Sequence, residues 1–384
     1  MTERLYDKDS HLKEFTAEVL SIRPDGGNYI AVLDRTAFFP EGGGQFGDRG
    51  TLNGANVLDT KESPDGRIFH ILDRPLAAGE QVTGLLDWDC RFRRMQNHSG
   101  EHILSGVVHR LYGYDNVGFH LGESETTVDY NGMLSRSQLL KIEQEANKAV
   151  FENAKFSTTC PPPEELQTLS YRSKKELTGT VRIVTVEGYD ACACCAPHVK
   201  YAGEIGVIKI LDFMKNKDGV RLFIKCGLDA LDDYESRYIN TLKISSALSL
   251  KQFEVADGVD RLLNQIAVQK QTAARLKREL ITEKIKTFSP DGDISALFCE
   301  GLDVKELQLF ADGLYKAHGG IRGVFSEIAQ GEYAFATCGS ERELETFFAA
   351  LKRNLNIRGG GRNGMVQGTV YAESDEITAA FLSK

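Results

Sequence analysis

His98 and His102 stand four residues apart in Met95-Gln96-Asn97-His98-Ser99-Gly100-Glu101-His102-Ile103-Leu104-Ser105. Apolar Met95, Ile103, Leu104 and Val107 recur at helical spacing, Asp87 and Asp89 stand near the start as caps, and no proline interrupts the stretch. On a helix both imidazoles project from one face about a turn apart, where one cation reaches both. Far downstream, Cys194-Cys195-Ala196-Pro197-His198 sets a thiolate and an imidazole at the same spacing, on a strand or loop. A chain that brings the two pairs together builds a three- or four-ligand site of nitrogen and sulfur donors, which is the ligand chemistry of Zn2+. Cys192 and Cys195 lie close enough in sequence to compete with Cys194 as the sulfur ligand.

The 384 residues suffice for two or three domains with their own cores. Apart from Cys192, Cys194 and Cys195, the eight cysteines are scattered, which reads as reduced thiols with one metal cluster and not as a disulfide framework. The first residues lack the apolar core of a signal peptide, and no run is long and apolar enough to span a bilayer. The expectation is a cytoplasmic protein with no membrane partner. A net charge of -9 argues against a protein that coats nucleic acid non-specifically. It leaves room for local basic surfaces, with candidates at Arg91, Arg93 and Arg94, at Arg172, Lys174 and Lys175, and at Arg353, Arg358 and Arg362.

In chain order the pattern predicts an α+β protein. Residues 1–88 carry short, evenly spaced, alternating stretches such as Phe15–Ile22, Tyr29–Asp34, Arg67–Leu72 and Gln81–Leu86, which suggest a small N-terminal β-barrel. Among them lies Thr36-Ala37-Phe38-Phe39-Pro40-Glu41-Gly42-Gly43-Gly44-Gln45. Three consecutive glycines give no side chain to a core, so Gly42, Gly43 and Gly44 permit unusual backbone angles or the close approach of a ligand. No Gly-Lys-Ser/Thr follows, so this is not a phosphate P-loop. Residues 89–230 read as a metal-binding α+β domain, with a second strong helix from Ser135 to Asn153. Residues 231–288 read as a helical linker with a seam at Val259, Leu262, Ile266, Gln269, Ala273, Leu276 and Leu280, expected as an antiparallel hairpin that turns at Gly258. Residues 289–384 read as a small C-terminal α/β domain, ending in Arg358-Gly359-Gly360-Gly361-Arg362. Glycines between two arginines leave backbone amides bare near positive charge, a cradle for a phosphate backbone.

These pieces, in this order, resemble the alanyl-tRNA synthetase editing domain in its free-standing form, the alanyl-tRNA editing proteins, whose long subtype adds a C-terminal domain of the DHHA1 type. Thr36 to Gly50 is similar to the family's Thr-x-Phe-Tyr-Pro-Glu-Gly-Gly-Gly-Gln loop with Phe39 in place of Tyr, and His98/His102 and Cys194/His198 match its two ligand pairs. Where the family has Cys-Gly-Gly-Thr-His, this chain has Cys-Cys-Ala-Pro-His. The resemblance implies a zinc-dependent hydrolase that acts in trans on tRNA for alanine mischarged with serine or glycine. It also implies metal ligands His98, His102, Cys194 and His198, and roles at the reacting end of the substrate for Thr36 and Gln45. Binding of substrate or tRNA falls to Gly42, Gly43 and Gly44 and to Arg358, Gly359, Gly360, Gly361 and Arg362. A homodimer through the C-terminal region is left open. Two rivals remain: a non-catalytic tRNA-binding module with a structural zinc, and an editing domain of the threonyl type, against which the glycine loop and the C-terminal domain argue.

Overall fold

The computed structural model describes residues 2–122, 125–173 and 181–383. It divides into two compact units, Met1–Lys243 and Ile244–Lys384, with the boundary inside a helix, Leu228–Leu248.

The first unit opens with the expected barrel. Strands β1 (Glu14–Asp25), β2 (Asn28–Leu33), β3 (Gly50–Leu52), β4 (Ala55–Glu62), β5 (Ile68–Leu72) and β6 (Gln81–Leu86) close in the order β1-β2-β5-β4-β3-β6. Alternation carries the barrel: Phe15, Ala17 and Val19 point inward from β1 and meet Leu33, Leu52, Val57, Leu72 and Val82. Before β1, Glu3 and Arg4 pair in parallel with Arg35 and Thr36, so the head of the glycine loop leaves the barrel beside the chain's first strand.

Helix α1 (Trp88–Tyr112) follows directly. Asp87 is its N-cap, accepting the Cys90 N–H at 3.2 Å, and Gly113 ends it with φ 70°. The helix is buried on every side from Arg94 to Val108, so it forms the axis of a core and not a surface element. Around it pack a sheet of β7 (Asn116–Leu121), β8 (Thr126–Tyr130), β12 (Ile208–Asn216) and β13 (Gly219–Cys226), ordered β12-β13-β8-β7, and helix α2 (Arg136–Phe151). A three-stranded sheet of β9 (Phe156–Thr159), β10 (Ile183–Val186) and β11 (Asp190–Ala193) completes the unit. α2 starts at a capping box in which Ser135 and Gln138 satisfy each other's backbone N–H groups.

The expected turn at Gly258 is corrected. Gly258 lies inside α4 (Val255–Thr287), and the preceding helix α3 (Leu228–Leu248) ends at Ser249, which takes φ 53°. The seam residues Val259, Leu262, Ile266, Leu276 and Leu280 stay exposed, whereas Ile281 is buried against Leu307, Phe310, Ala311 and Leu314. The second unit continues as a five-stranded sheet, β14 (Ile294–Phe298), β15 (Ile321–Ala329), β16 (Glu332–Cys338), β17 (Asn356–Arg362) and β18 (Met365–Tyr371), ordered β14-β15-β16-β18-β17. Helices α5 (Val304–His318), α6 (Glu341–Asn354) and α7 (Ser374–Leu382) cover it. The second glycine run is an exposed edge strand. Gly359–Gly361 pair only with β18 among the described residues, so one side of their backbone faces outward. No helix of the described residues is long and apolar enough to cross a membrane.

Candidate metal centre

The first unit brings together all four expected ligands. One donor atom each from His98, His102, Cys194 and His198 lies within 4.8 Å of every other. Cys194 Sγ is 3.5 Å from His98 Nε2 and 3.4 Å from His198 Nε2. A tetrahedral shell with metal–nitrogen bonds of about 2.0 Å and a metal–sulfur bond of about 2.3 Å has nitrogen–sulfur edges of roughly 3.5 Å. The side chains already stand at that separation.

The second nitrogen of each imidazole is also engaged. His98 Nδ1 lies 3.1 Å from Gln45 Oε1 and His198 Nδ1 lies 3.1 Å from Ser99 Oγ. His102 Nδ1 lies 3.2 Å from Asp190 Oδ2, an ion-pair distance without hydrogen-bond alignment. Acceptors on the outer nitrogens favour N–H there and leave the inner nitrogens as lone-pair donors, which fits the residues for a cation. Asp190 is itself gripped by Arg172, whose Nε and Nη2 donate to its two oxygens at 2.7 and 2.8 Å. Gly106 makes this approach feasible: a Cβ there would stand 2.3 Å from the Tyr189 carbonyl, beside Asp190.

Electrostatics select one cysteine. Burial would raise the Cys194 thiol, but the charges of His98 and His198 and hydrogen bonds from the imidazoles hold it well below its ordinary value. Burial lifts Cys192, and burial with the neighbouring Cys194 lifts Cys195 to about 11. Only Cys194 is thus poised as a thiolate, the form that ligates. Burial would lower His102, yet Asp190 and Cys194 raise it well above normal, while burial and the charge on His102 depress His198 to about 3.

The glycine loop lies against this cluster. Gly42 and Gln45 exchange both backbone hydrogen bonds at 3.0 Å, with Gly43 at φ 62° and Gly44 at φ 83°. Two positive φ angles at the centre of a two-residue turn are what a type I′ turn requires, hence the glycines. The turn presents Gln45, 1% exposed, to His98; its Oε1 faces the ring and its Nε2 is buried with no partner among the described residues. Gly43 comes close to His98 Cε1 and Cys195 Sγ. The loop is tied to α1 through Asp48, which accepts the Phe39 N–H at 2.7 Å and Arg91 Nε at 2.8 Å.

Other expected residues lie elsewhere. Thr36 is fully buried in the barrel, its Oγ1 2.8 Å from His70 Nε2 and accepting the Phe38 N–H at 3.1 Å. Arg358 to Arg362 belong to the second unit. The basic cluster ahead of the histidines is used internally: Arg91 pairs with Asp48, Arg93 with Asp89, Asp229 and Asp232, and Arg94 donates to the Gly47 carbonyl. Lys174 and Lys175 lie outside the described residues. Sequence reasoning missed Ser99 and Asp190, because supports of a ligand have no fixed spacing from it, and it read Arg172 as basic surface where the fold pairs it with Asp190.

Residues 181–223, which contain Cys194 and His198, match the family described as the threonyl and alanyl tRNA synthetase second additional domain. The alanyl-tRNA editing protein AlaX-L of Pyrococcus horikoshii is 29% identical over 100% of this chain and 98% of its own length. The alanyl-tRNA editing protein Aarsd1 of Mus musculus is 27% identical over 98% of this chain and 96% of its own. An alanine–tRNA ligase of Ignicoccus hospitalis is 28% identical over 100% of this chain but only 42% of its own length. From end to end, the chain is a relative of the free-standing alanyl-tRNA editing proteins.

Proposed function

We propose that this chain is a trans-editing hydrolase that deacylates tRNA for alanine carrying serine or glycine, with Zn2+ held by His98, His102, Cys194 and His198. The observation that carries the reading is the three-histidine, one-thiolate cluster lying against a turn that presents the unpartnered Gln45 amide. Three imidazoles and a thiolate are zinc ligands by softness and number. Once bound, the metal supplies Lewis acidity toward the substrate or orients its amino group.

The reaction adds water to the ester carbonyl and breaks the bond to the ribose oxygen, releasing the amino acid and a free 3′ hydroxyl. The ester is already activated, so positioning accounts for much of the help it needs. Gln45 is fixed by His98 through its oxygen, which leaves its Nε2 to donate to the substrate carbonyl or terminal ribose. Gly42, Gly43 and Gly44 permit close approach of the acylated end. Arg358 and Arg362, which flank the glycine run of the exposed edge strand, hold the tRNA backbone.

Four protein donors, the three imidazoles buried and Cys194 half-buried, also make a closed shell, and that favours a second reading, a tRNA-binding module with a structural zinc and no turnover. Deacylation of Ser-, Gly- and Ala-tRNA for alanine, with and without a chelator, separates them. The first reading expects hydrolysis of Ser- or Gly-tRNA that is lost on chelation. Tight tRNA binding with no hydrolysis of any of the three establishes the second.

A further inference from the structure

Behind the candidate centre lies a second set of donors. His102, Asp190 and Cys192 bring one ligand atom each within 4.8 Å of one another, and all three side chains are buried. His102 belongs to both sets, through a different nitrogen in each. Its Nδ1 has no hydrogen-bond partner among the described residues, yet stands 3.2 Å from Asp190 Oδ2. Bonds of about 2.0 Å to a tetrahedral ion would set two such donors roughly 3.3 Å apart. A buried nitrogen without a partner is costly, and one that meets a carboxylate and a thiol at this spacing points to a cation.

These donors are within reach of solvent. Asp190 and Cys192 line a cavity of about 370 Å³ in the first unit, which His109 and Asp115 also line. His109 and Asp115 are exposed and pair at 2.9 Å, so one cavity joins an imidazole and a carboxylate at the surface to a carboxylate and a thiol inside. Two cations share the walls. Arg110 lies over the Tyr189 ring at 5.5 Å and donates to the Gly188 carbonyl. Arg172 donates to both oxygens of Asp190 at 2.7 and 2.8 Å. A carboxylate has about four lone-pair sites, so two stay open to an ion, and a donor behind a ligating carboxylate is the usual support for it.

We propose that His102 Nδ1, Asp190 and Cys192 form an outer position for Zn2+, which captures the ion from this cavity and passes it to the inner set of His98, His102, Cys194 and His198. A neutral imidazole has one lone pair in its plane, so His102 serves one position at a time. Three protein donors leave the fourth place to a water from the cavity, as suits an ion in transit. Cys192 keeps its proton until an ion displaces it, whereas Cys194 is already a thiolate, so the inner position is the stronger. The assignment rests on the inner centre proposed above.

The test uses the metal-free full chain and Co2+, whose bonds to thiolate give a charge-transfer band in the near ultraviolet. Wild-type protein should bind Co2+ with that band, which tests the inner centre by itself. Cys192→Ser leaves the four inner ligands in place, and its tight Co2+ binding certifies its fold. Uptake and release in this variant should both slow by about tenfold with the equilibrium affinity unchanged, because a path lost inward is lost outward too. Cys194→Ser removes the inner thiolate and holds the ion outside: the band should persist there, and vanish when Cys192→Ser is added. Unchanged uptake in Cys192→Ser, or slower uptake matched by an equal loss of affinity, overturns the outer position and leaves the inner centre standing. So does a Cys194→Ser protein with no band, or with one that survives the loss of Cys192. Wild-type protein without a thiolate band overturns the inner centre and the outer position with it.

Discussion

His70 fixes which way the Thr36 hydroxyl points. His70 Nδ1 lies 3.2 Å from the Ala31 carbonyl, which can only accept, so the proton sits on Nδ1 and Nε2 is a bare lone pair. Thr36 must then donate its own proton to Nε2, 2.8 Å away, while its oxygen accepts the Phe38 N–H. One lone pair of the Thr36 oxygen is left over. The hydroxyl is therefore an acceptor and not a donor toward anything else; a serine side chain that reached it would donate to it, where alanine and glycine have no hydroxyl to do so.

Thr36→Val is the matching test. It keeps the shape and removes the oxygen. If Thr36 meets the substrate, the ratio of kcat/KM for Ser-tRNA over Ala-tRNA should fall by an amount equivalent to about 1–3 kcal/mol. An unchanged ratio removes Thr36 from the pocket and leaves its contact with His70 as the reason for its identity.

The metal site makes a graded prediction. His102→Ala deletes a ligand and should release the metal; unchanged metal per chain would mean that the site is misplaced. Asp190→Asn keeps the shape behind His102 and removes the charge, so affinity should fall roughly 10- to 100-fold in a chelator competition. Full affinity in that variant would assign Asp190 to Arg172 alone.

How much of this was legible beforehand follows from the range of the forces. Periodicity of two and 3.6 marked the barrel strands and α1, because alternation and helical spacing are local. The paired four-residue spacings marked four residues that the fold does bring together, because a cation site demands convergence of few residue types. Spacing could not choose between Cys194 and Cys195, since that depends on which thiol the histidines surround. Gly258 makes no turn because Ser249 supplies the left-handed residue, and a glycine inside a helical stretch need not end it. Likewise, the arginines before His98 read as a basic surface only until their carboxylate and carbonyl partners were brought in by the fold.

The edge strand of the second unit predicts where tRNA affinity resides. Arg358 and Arg362 are exposed at either end of the glycine run, with Arg358 5.4 Å over the Tyr371 ring. Replacing both with Ala should weaken tRNA binding and flatten its salt dependence by about 0.7–0.9 per lost phosphate contact. Hydrolysis at saturating substrate should be less affected, because the candidate metal ligands all belong to the first unit. Equal affinity and an equal salt slope in the double variant would sink this role.

His70 also predicts how stability responds to acid. It is fully buried, and burial lowers its pKa to about 4 from 6.5. In the unfolded chain the ordinary value returns, so between those limits the unfolded state binds more protons. The stabilisation is complete above pH 6.5 and is lost as pH falls toward 4, a loss of about 3 kcal/mol. His70→Gln retains a carbonyl able to accept from Thr36 and does not titrate. Urea unfolding followed through Trp88, the only tryptophan and a residue of the first unit, gives stability against pH for both proteins. The wild-type curve should fall more steeply than the variant's between pH 6.5 and 4, with the two diverging by about 3 kcal/mol over that interval. Parallel curves would mean that His70 is not held neutral, and the fixed orientation of the Thr36 hydroxyl would go with it.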